Sequence, residues 1–398
     1  MTQAFSHSSL RKQIRPRDFA DETLNDPMVL DDLISQSVLQ AERGFRSGVS
    51  VKQIEIGQKF AYTASSLEEK LILRKIVNNL QRTASLQFNH RDQIAAQLTN
   101  FLKEGVKYRI YRLDIASFFE TIDIENIENS LSKLNQLSSH SKFLTVDYIR
   151  SFQDQYNVSG IPRGIELSAS VSELVLLDFD RLVKEHHDVF FYARYVDDMI
   201  FITSSTEISK MFCLWIESLL PTGLKLNIKK QKIIDLSKKT KNFKNHIAFD
   251  FLGYEYRICN PATTVEEYRP IIIDLSSKKI KSLKTKIAKA FYSFKKVGNY
   301  DLLYDRLSFL SSNRDIITSK NTKIGSGVYY SYKKIDPEQS LKSDIDYFLR
   351  QNTMSKVYNL SKMERENLLK LSFYRGFKKR IYKRFSPNRL MEINEIWK

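Results

Sequence analysis

Cysteine is scarce in this sequence, with only Cys213 and Cys259 among 398 residues. Both lie in apolar surroundings. Two distant cysteines form neither a disulfide framework nor a zinc site of thiolates, which suits a reducing compartment. The six histidines show no spacing typical of metal ligands. The composition therefore argues against a disulfide-stabilised secreted protein and against a zinc-binding module.

Long hydrophobic runs are also missing. No apolar stretch approaches the ~20 residues that a membrane-spanning helix needs, and residues 1–17 lack the apolar core of a secretion signal. We find no internal repeat and no low-complexity linker. With 42% hydrophobic and 27% charged residues, we expect a cytoplasmic globular protein of two or three subdomains that does not contact a membrane.

Acidic residues are under-represented in the last third of the chain. Residues 275–398 hold 28 Lys and Arg against 11 Asp and Glu, so this part carries the whole net charge of +17. The remainder is electrically balanced. A neutral body with a basic C-terminal part indicates a surface for a polyanion such as nucleic acid. A tail that only aids solubility is the alternative, although regular apolar spacing here favours folded helices.

The stretch from Phe190 to Ile202 carries the strongest local signal. Apolar and aromatic residues lead into Tyr195-Val196-Asp197-Asp198 and continue directly after it. This pattern predicts a tight hairpin with two carboxylates at its tip. Two adjacent acids between apolar strands repel each other unless a cation neutralises them. A solvated surface turn is the alternative for the isolated motif.

Two earlier segments have related features. Alternation from Tyr108 to Leu113 predicts a strand that ends at Asp114. Gly160-Ile161-Pro162-Arg163-Gly164 predicts a rigid turn that opens into a helix over residues 165–180, where backbone can approach a ligand. At the end of that helix, we expect Asp178 and Asp180 to be solvated.

Periodicity predicts the remaining elements. An N-terminal extension over residues 1–55 is partly helical. A helix begins after Ser65-Ser66, and another covers residues 207–220. A strand-rich stretch follows over residues 224–234. Residues 248–258 are typical of a hairpin that bends at Gly253. A long amphipathic helix then contains Ile280, Leu283, Ile287, Phe291 and Phe294 on one face.

Near the C-terminus, aromatic and basic residues alternate over residues 373–385. Cations suit phosphates and aromatic faces suit bases, so this run favours nucleic-acid binding. A basic amphipathic helix on an acidic membrane or protein is the alternative. The cations concerned are Lys378, Lys379, Arg380, Lys383 and Arg384.

Taken together, these segments resemble the palm of a reverse transcriptase. Five motifs occur in the order of that family: Tyr111–Ile122, Gly160–Ala169, Tyr195–Asp198, Leu226–Lys230 and Phe251–Tyr254. The resemblance covers roughly residues 56–258. It implies an α+β right-hand polymerase whose fingers and palm, an antiparallel sheet plus helices, occupy residues 56–274. A basic helical thumb would occupy residues 275–398.

The resemblance implies a role for each residue that matches a motif. Asp114, Asp197 and Asp198, with the backbone carbonyl of Ile115, would hold two Mg²⁺ ions, for which Mn²⁺ is a substitute. Such ions lower the pKa of a primer 3′-hydroxyl and steady the triphosphate. The fifth motif would grip the primer through Leu252, Gly253 and Tyr254.

For the incoming nucleotide, the resemblance points to five further positions. Phe119 would be the steric gate that excludes a ribose 2′-hydroxyl, whereas Phe118 suits the core. Gly164 would bring backbone close to the nucleotide. Lys230, or Lys229 beside it, would donate a proton to pyrophosphate. Arg163 stands where many relatives have Gln, and Lys59 substitutes for an arginine of the fingers.

The chain looks most like the bacterial defence-associated reverse transcriptases, and within them like the smaller polymerase of the type 3, two-polymerase antiviral systems. No maturase, endonuclease or RNase H pattern follows the thumb in this sequence. The resemblance implies RNA-directed DNA synthesis from dNTPs on a dedicated non-coding RNA, with a second reverse transcriptase and a higher-order oligomer as partners. A retron-type or other bacterial reverse transcriptase is one alternative. A nucleic-acid-binding scaffold with a silent palm is another.

Overall fold

The structure is a computed structural model that describes residues 2–16, 18–57, 59–236, 246–259, 268–317 and 323–397. The chain forms two compact units. The first unit comprises Met1–Asn89 and Lys107–Ser237, and the second comprises His90–Val106 and Lys238–Lys398. Each unit mixes helices with antiparallel sheet, as the α+β prediction requires.

The described helices and strands follow one another along the whole chain. The α-helices are α1 (His7–Arg11), α2 (Pro27–Arg43), α3 (Leu67–Thr83), α4 (Arg91–Leu102), α5 (Phe118–Thr121), α6 (Ile124–Ser132), α7 (Ser139–Tyr156), α8 (Glu166–Val175), α9 (Leu177–Lys184), α10 (Ser209–Leu219), α11 (Ser277–Val297), α12 (Tyr300–Ser311), α13 (Tyr347–Met354), α14 (Lys362–Leu369), α15 (Phe373–Lys378) and α16 (Pro387–Glu395). The strands are β1 (Val51–Ile56), β2 (Lys59–Ala64), β3 (Tyr108–Asp114), β4 (Val189–Tyr195), β5 (Asp198–Ser204), β6 (Lys232–Asp235), β7 (His246–Phe251), β8 (Tyr254–Cys259), β9 (Ile271–Leu275), β10 (Asn313–Ile317) and β11 (Lys323–Gly327).

The first unit is built around a four-stranded antiparallel sheet in the order β4-β5-β3-β6. Its central strands are apolar on both faces, and Tyr111, Leu113, Phe201 and Ile202 are all buried. These large buried side chains place the two central strands inside the core of the first unit. The predicted strand ending at Asp114 and the predicted Asp-Asp hairpin are both confirmed.

The helix start predicted after Ser65-Ser66 is confirmed. Ser66 caps α3 by accepting a hydrogen bond from the Glu69 amide at 3.1 Å. The glycine turn leads into α8, and Gly164 has φ +97°. A Cβ there would lie 2.7 Å from the Tyr62 carbonyl oxygen, so the close approach of β2 requires glycine. The helix predicted over residues 165–180 is in fact two helices, α8 and α9, which meet at Leu176.

One predicted strand-rich stretch is only partly a strand. Over residues 224–234, the chain makes an isolated bridge at Leu226 and a 3₁₀ turn over Ile228–Lys230 before β6 begins at Lys232. The Asn227 amide donates to the Asp114 carbonyl at 2.7 Å. This tertiary contact anchors the segment just before the turn.

The second unit contains a three-stranded sheet in the order β7-β8-β9, which includes the hairpin predicted around Gly253. The long amphipathic helix is α11, whose Ile287 and Phe291 are buried. The unit also contains the antiparallel pair β10–β11, which the prediction of a helical thumb did not include. The basic run is helical only as far as Lys378.

No described helix of the chain is both long and apolar enough to cross a membrane.

Glu69 gives a prediction about stability. Its carboxyl is fully buried, accepts a 2.7 Å hydrogen bond from the Ser50 amide and lies beside Tyr148. Burial raises the pKa of Glu69 to about 7, against the lowering effects of Ser50, Tyr148 and Lys70. The folded state therefore binds more protons than the unfolded state between the two pKa values. The free energy of unfolding should fall by roughly 3 kcal/mol as the pH rises from below 4.5 to above 7.

Urea unfolding of wild type and Glu69→Gln at several pH values measures this effect. The variant keeps a neutral buried side chain, so the wild-type stability relative to the variant should decline across that pH window. Glu42→Gln, at an exposed site on α2, is the control. The stability of wild type relative to this variant should not change across the same pH window. Parallel pH profiles for wild type and Glu69→Gln would contradict the prediction.

Candidate active site

The ends of β3 and β5 bring the predicted acids together. Asp114 and Asp198 are directly opposite each other in the antiparallel register. The Ile115 amide donates to the Asp197 carbonyl at 3.2 Å, which ties the hairpin tip to the end of β3. Asp114 is buried, whereas the Asp198 side chain is 33% exposed and lies 3.8 Å from Arg112. The fold thus assembles three carboxylates from two distant segments.

The hairpin tip has a strained backbone. Val196 adopts φ +60°, a left-handed conformation that is costly for a β-branched residue. Arg194 supports it, because one guanidinium nitrogen donates to the Val196 carbonyl at 3.0 Å. Such a tip persists only where its surroundings hold it in place.

Arg194 is itself held by a buried ionic cluster. Its guanidinium donates to both carboxylate oxygens of Glu173 at 3.0 and 2.7 Å and to both of Asp180 at 2.9 and 2.6 Å. Tyr192 donates to Asp180 at 2.6 Å. The expectation that Asp180 is solvated is therefore wrong, because Arg194 and Tyr192 on β4 bind it and its side chain is only 19% exposed. Asp178, paired with Lys133, is half exposed as expected.

Asp114 is engaged through both carboxylate oxygens. Asn227 Nδ2 donates to Oδ1 at 3.1 Å, and Lys230 Nζ donates to Oδ2 at 2.8 Å. Of the two lysines that the sequence left open, Lys230 is therefore the one that contacts an acid of the site. The fourth motif thus supplies a cation and an amide to the end of β3.

The electrostatics follow from this crowding. Burial raises the pKa of Asp197, and the charges of Asp114 and Asp198 raise it further, while Lys230 opposes them. The hydrogen bond from Lys230 to Asp114 raises the pKa of that lysine. Like charges collected at one edge of a sheet favour a bound cation.

The donor chemistry fits a divalent metal of the kind that reverse transcriptases use. Carboxylate oxygens are the ligands that Mg²⁺ prefers, and a cation at this site would offset the charges of Asp114 and Asp198, which together with burial raise the pKa of Asp197. Among the described residues, the group of three whose ligand atoms all lie within 4.8 Å is a different one, His186, His187 and Asp188. The histidine spacing did not predict that surface group.

A second cluster contains the residues predicted to handle the nucleotide. The Arg163 guanidinium lies 5.3 Å from the centre of the Phe119 ring and 3.0 Å from Glu120 Oε1. Lys59 Nζ lies 3.3 Å from the same oxygen. Phe118 is buried and Phe119 is half-buried, so Phe119 is the more accessible ring. Lys59, Arg163 and Glu120 line one cleft with Tyr62 and Ser117, and the Phe119 ring lies beside Arg163.

The remaining predicted residues lie in the second unit. Leu252 and Gly253 form the β7–β8 turn, with φ +50° and +85°. Tyr254 is buried and donates to Asp92 at 3.1 Å. The five cations of the basic run are all exposed: Lys378, Lys379, Arg380, Lys383 and Arg384.

Comparison with known proteins agrees with this geometry. Residues 63–256 match the sequence profile of the family described as "Reverse transcriptase (RNA-dependent DNA polymerase)". The chain carries a reverse transcriptase domain. Asp114, Asp197 and Asp198 all lie within the matched residues, so the prediction that these acids belong to a reverse transcriptase domain agrees with the match. The right-hand polymerase fold class is confirmed with it.

Solved structures add a more distant similarity. One similar chain is apo telomerase from Candida tropicalis, truncated from its C-terminal domain, at 14% identity and a TM-score of 0.39. The alignment covers 63% of this chain and 60% of that one, so this chain spans less than two thirds of the telomerase chain. No curated protein sequence matches this chain.

Sequence reasoning missed several residues that shape the reverse transcriptase domain. Asn227 stands inside a recognised motif, yet only the fold shows its contact with Asp114. Arg194 is a charged residue in the otherwise apolar strand before Asp197, and this position was an available signal that it has a buried partner. Glu120 follows the Phe118-Phe119 pair, and no sequence signal linked it to Lys59 or Arg163.

Proposed function

We propose that this protein polymerises DNA on an RNA template at the edge formed by Asp114, Asp197 and Asp198. The observation that supports this most is the β3–β5 register, which sets Asp114 opposite Asp198 inside a reverse transcriptase domain. Two Mg²⁺ ions on these carboxylates and the Ile115 carbonyl would activate a primer 3′-hydroxyl and neutralise the triphosphate. The protein side chains then position the nucleotide and move its protons.

Lys230 has the chemistry of the proton donor to the leaving pyrophosphate. Its ammonium group is 2.8 Å from Asp114 Oδ2, and this contact holds it protonated near the reacting phosphates. Asn227 fixes the other oxygen of Asp114, which orients that carboxylate.

Lys59 and Arg163 are the proposed contacts of the triphosphate. Both cations share Glu120 as partner, and each side chain remains partly exposed at the same cleft. A triphosphate carries more negative charge than one carboxylate, so it can compete with Glu120 for both cations. The backbone of Gly164, the next residue along the chain after Arg163, lies against β2, where a Cβ would be 2.7 Å from the Tyr62 carbonyl oxygen.

The direct test is primer extension. The purified protein is given an RNA template, an annealed DNA primer, dNTPs and Mg²⁺, and product length is followed on a gel. Template-directed extension that requires a divalent metal supports the proposal. A folded protein that binds the primed template but extends it with neither Mg²⁺ nor Mn²⁺ would refute it.

Phe119 gives a prediction about sugar choice. Because its ring is the accessible one of the pair and packs on Arg163, we propose that it blocks a ribose 2′-hydroxyl. Phe119→Ala should therefore incorporate rNTPs at least roughly tenfold better relative to dNTPs, which corresponds to about 1.4 kcal/mol of steric discrimination. Single-nucleotide extension with each sugar measures the ratio.

The matched control is Phe143→Ala, at a partly exposed phenylalanine on α7. It should leave the ratio of dNTP to rNTP incorporation unchanged. If Phe119→Ala discriminates as well as wild type, the gate lies at another residue and Phe119 has only a packing role.

We also propose how the second unit contributes. Leu252, Gly253 and Tyr254 would grip the primer, and the basic run at Lys378–Lys379 and beyond would contact phosphates as part of a thumb. The supporting observations are the positive-φ turn at Leu252-Gly253 and the exposure of all five cations.

The wider role that we propose is bacterial antiviral defence in the cytoplasm. It is supported by the motif pattern, in which Arg163 and Ile165-Glu166 replace the usual residues of the second motif. A dedicated non-coding RNA would serve as template, and a second reverse transcriptase would be the partner. Sequencing the nucleic acids and identifying the proteins that co-purify from a bacterial host tests this role. Co-purification of random cellular RNA without a protein partner would contradict it.

A further inference from the structure

The second unit contains a cationic cleft whose lining is defined by α11, β10 and the residues after β11. It encloses about 230 Å³, less than the ~300–1,000 Å³ of typical small-molecule pockets. Three cations line it: Lys279 and Lys286, seven residues apart on α11, and Arg314 on β10. We refer to these three residues and their surroundings as the α11–β10 cleft.

Several polar side chains of the α11–β10 cleft have no hydrogen-bond acceptor among the described residues. Within the described residues, none of the following side chains makes a hydrogen bond or ion pair, although all of them line the cleft: Lys279, Ser282, Lys286, Arg314, Ser331 and Tyr332. Arg314 stacks on Phe309, with its guanidinium carbon 3.7 Å from the ring centre, and Lys286 lies over Trp397. These cations are therefore held in place by aromatic rings, with their hydrogen-bonding capacity unused.

Among the described residues, no Asp or Glu lines this cleft. Burial lowers the pKa of Lys286, and the charges of Lys279 and Arg314 lower it further. Burial also lowers the pKa of Arg314. Elsewhere in the unit, comparable cations have acidic partners, such as Lys284 with Asp344 and Arg389 with Asp305. A cluster of partly desolvated cations that repel one another gains most from a bound anion.

We propose that the α11–β10 cleft binds a phosphate group, either of a nucleic-acid strand or of a free nucleotide. Two lysines, an arginine and hydroxyl donors match phosphate oxygens, while Phe309, Tyr332 and Leu283 offer apolar surface for the attached sugar or base. The volume suits one phosphate with part of its nucleoside. This inference rests on the proposed function only in taking a nucleic acid as the substrate.

The surroundings favour a strand as the source of the phosphate. A Cβ added at Gly253 would lie 3.1 Å from both Lys279 Cε and Tyr332 Oη. The cleft therefore borders the turn that the sequence predicts as the primer grip. A strand that passes this turn would present its phosphates to Lys279.

Binding measurements on the full chain, without divalent metal, test the site. The cleft variant is Lys286→Gln/Arg314→Gln, and the matched control is Lys281→Gln/Lys289→Gln, which removes the same charge from exposed positions of α11. Fluorescence anisotropy with a short labelled single-stranded oligonucleotide is recorded at several salt concentrations. Calorimetry with dTMP and with inorganic phosphate covers the free ligands, and a thermal melt confirms that each variant is folded.

We expect the cleft variant to bind the oligonucleotide roughly tenfold more weakly than the control does. Its log–log salt slope should be flatter by about 0.7 for each phosphate that the cleft no longer binds. If only dTMP or phosphate binding is lost, a phosphate site is still supported and its ligand is a free nucleotide. Equal affinities of cleft variant and control for every ligand would overturn the proposal.

Arg314→Lys keeps the test decisive if the double variant does not fold. It retains the charge, so it should bind more tightly than Arg314→Gln, and equal binding by these two variants would also overturn the site. These assays need no polymerisation. Absence of primer extension would therefore refute the proposed function without altering their result, and failure of the cleft would leave primer extension intact.

Discussion

Asp197→Asn should reduce primer extension by at least roughly a thousandfold while the protein stays folded. The substitution removes one carboxylate of the cluster, and with it several kcal/mol of the charge stabilisation that a metal at this site supplies, at about 1.4 kcal/mol for each factor of ten in rate. Burial and two neighbouring acids already raise the pKa of Asp197. A neutral amide of the same shape is therefore easily accommodated in the fold.

Asp114→Asn should have a similar effect on activity for a second reason. It also weakens the contact with Lys230, so both the acid and the proposed proton donor lose their geometry. Primer extension, RNA binding and a thermal melt are measured on the same preparations. Asp178→Asn, at the half-exposed acid on α9, is the control and should retain full activity. A folded Asp197→Asn/Asp198→Asn double variant with wild-type activity would exclude these acids from catalysis.

The second large effect concerns stability. Arg194→Leu should lower the free energy of unfolding by about 3–5 kcal/mol, because it leaves Glu173 and Asp180 in the interior without their cation. The Arg194 side chain is only 3% exposed, and those of Glu173 and Asp180 are 16% and 19% exposed. Desolvated carboxylates of this kind are costly when unpaired. Urea unfolding measures the decrease, and Arg181→Leu, at an exposed ion pair on α9, should change stability by no more than about 1 kcal/mol.

A compensated variant separates support of the fold from support of the active site. Arg194→Leu/Glu173→Gln/Asp180→Asn removes the buried charges together, so it should recover much of the lost stability. It does not restore the donor to the Val196 carbonyl. Primer extension should therefore remain low in the stable triple variant. Wild-type activity there would show that Arg194 serves the fold alone.

The local sequence determined the parts of the site that depend on neighbouring residues. Alternating apolar residues specify β3 and the β4–β5 hairpin, since strand period and turn position are set within a few residues. The acids at Asp114 and at Asp197-Asp198 could thus be placed at strand ends, and Gly164 at a turn that only glycine permits. The order of the motifs over residues 56–258 then indicated the reverse transcriptase domain from the sequence alone.

Only the tertiary structure decided how charged groups far apart in the sequence are paired. The Asp114–Asp198 register, the shared Glu120 partner of Lys59 and Arg163, and the burial of Asp180 by Arg194 all join separate elements. The turn at Ile228–Lys230 replaced a predicted strand in the segment where Asn227 and Lys230 contact Asp114. The state of a charge depends on what packs against it, because desolvation and Coulomb energy act over a few ångströms of space, whatever the separation along the chain.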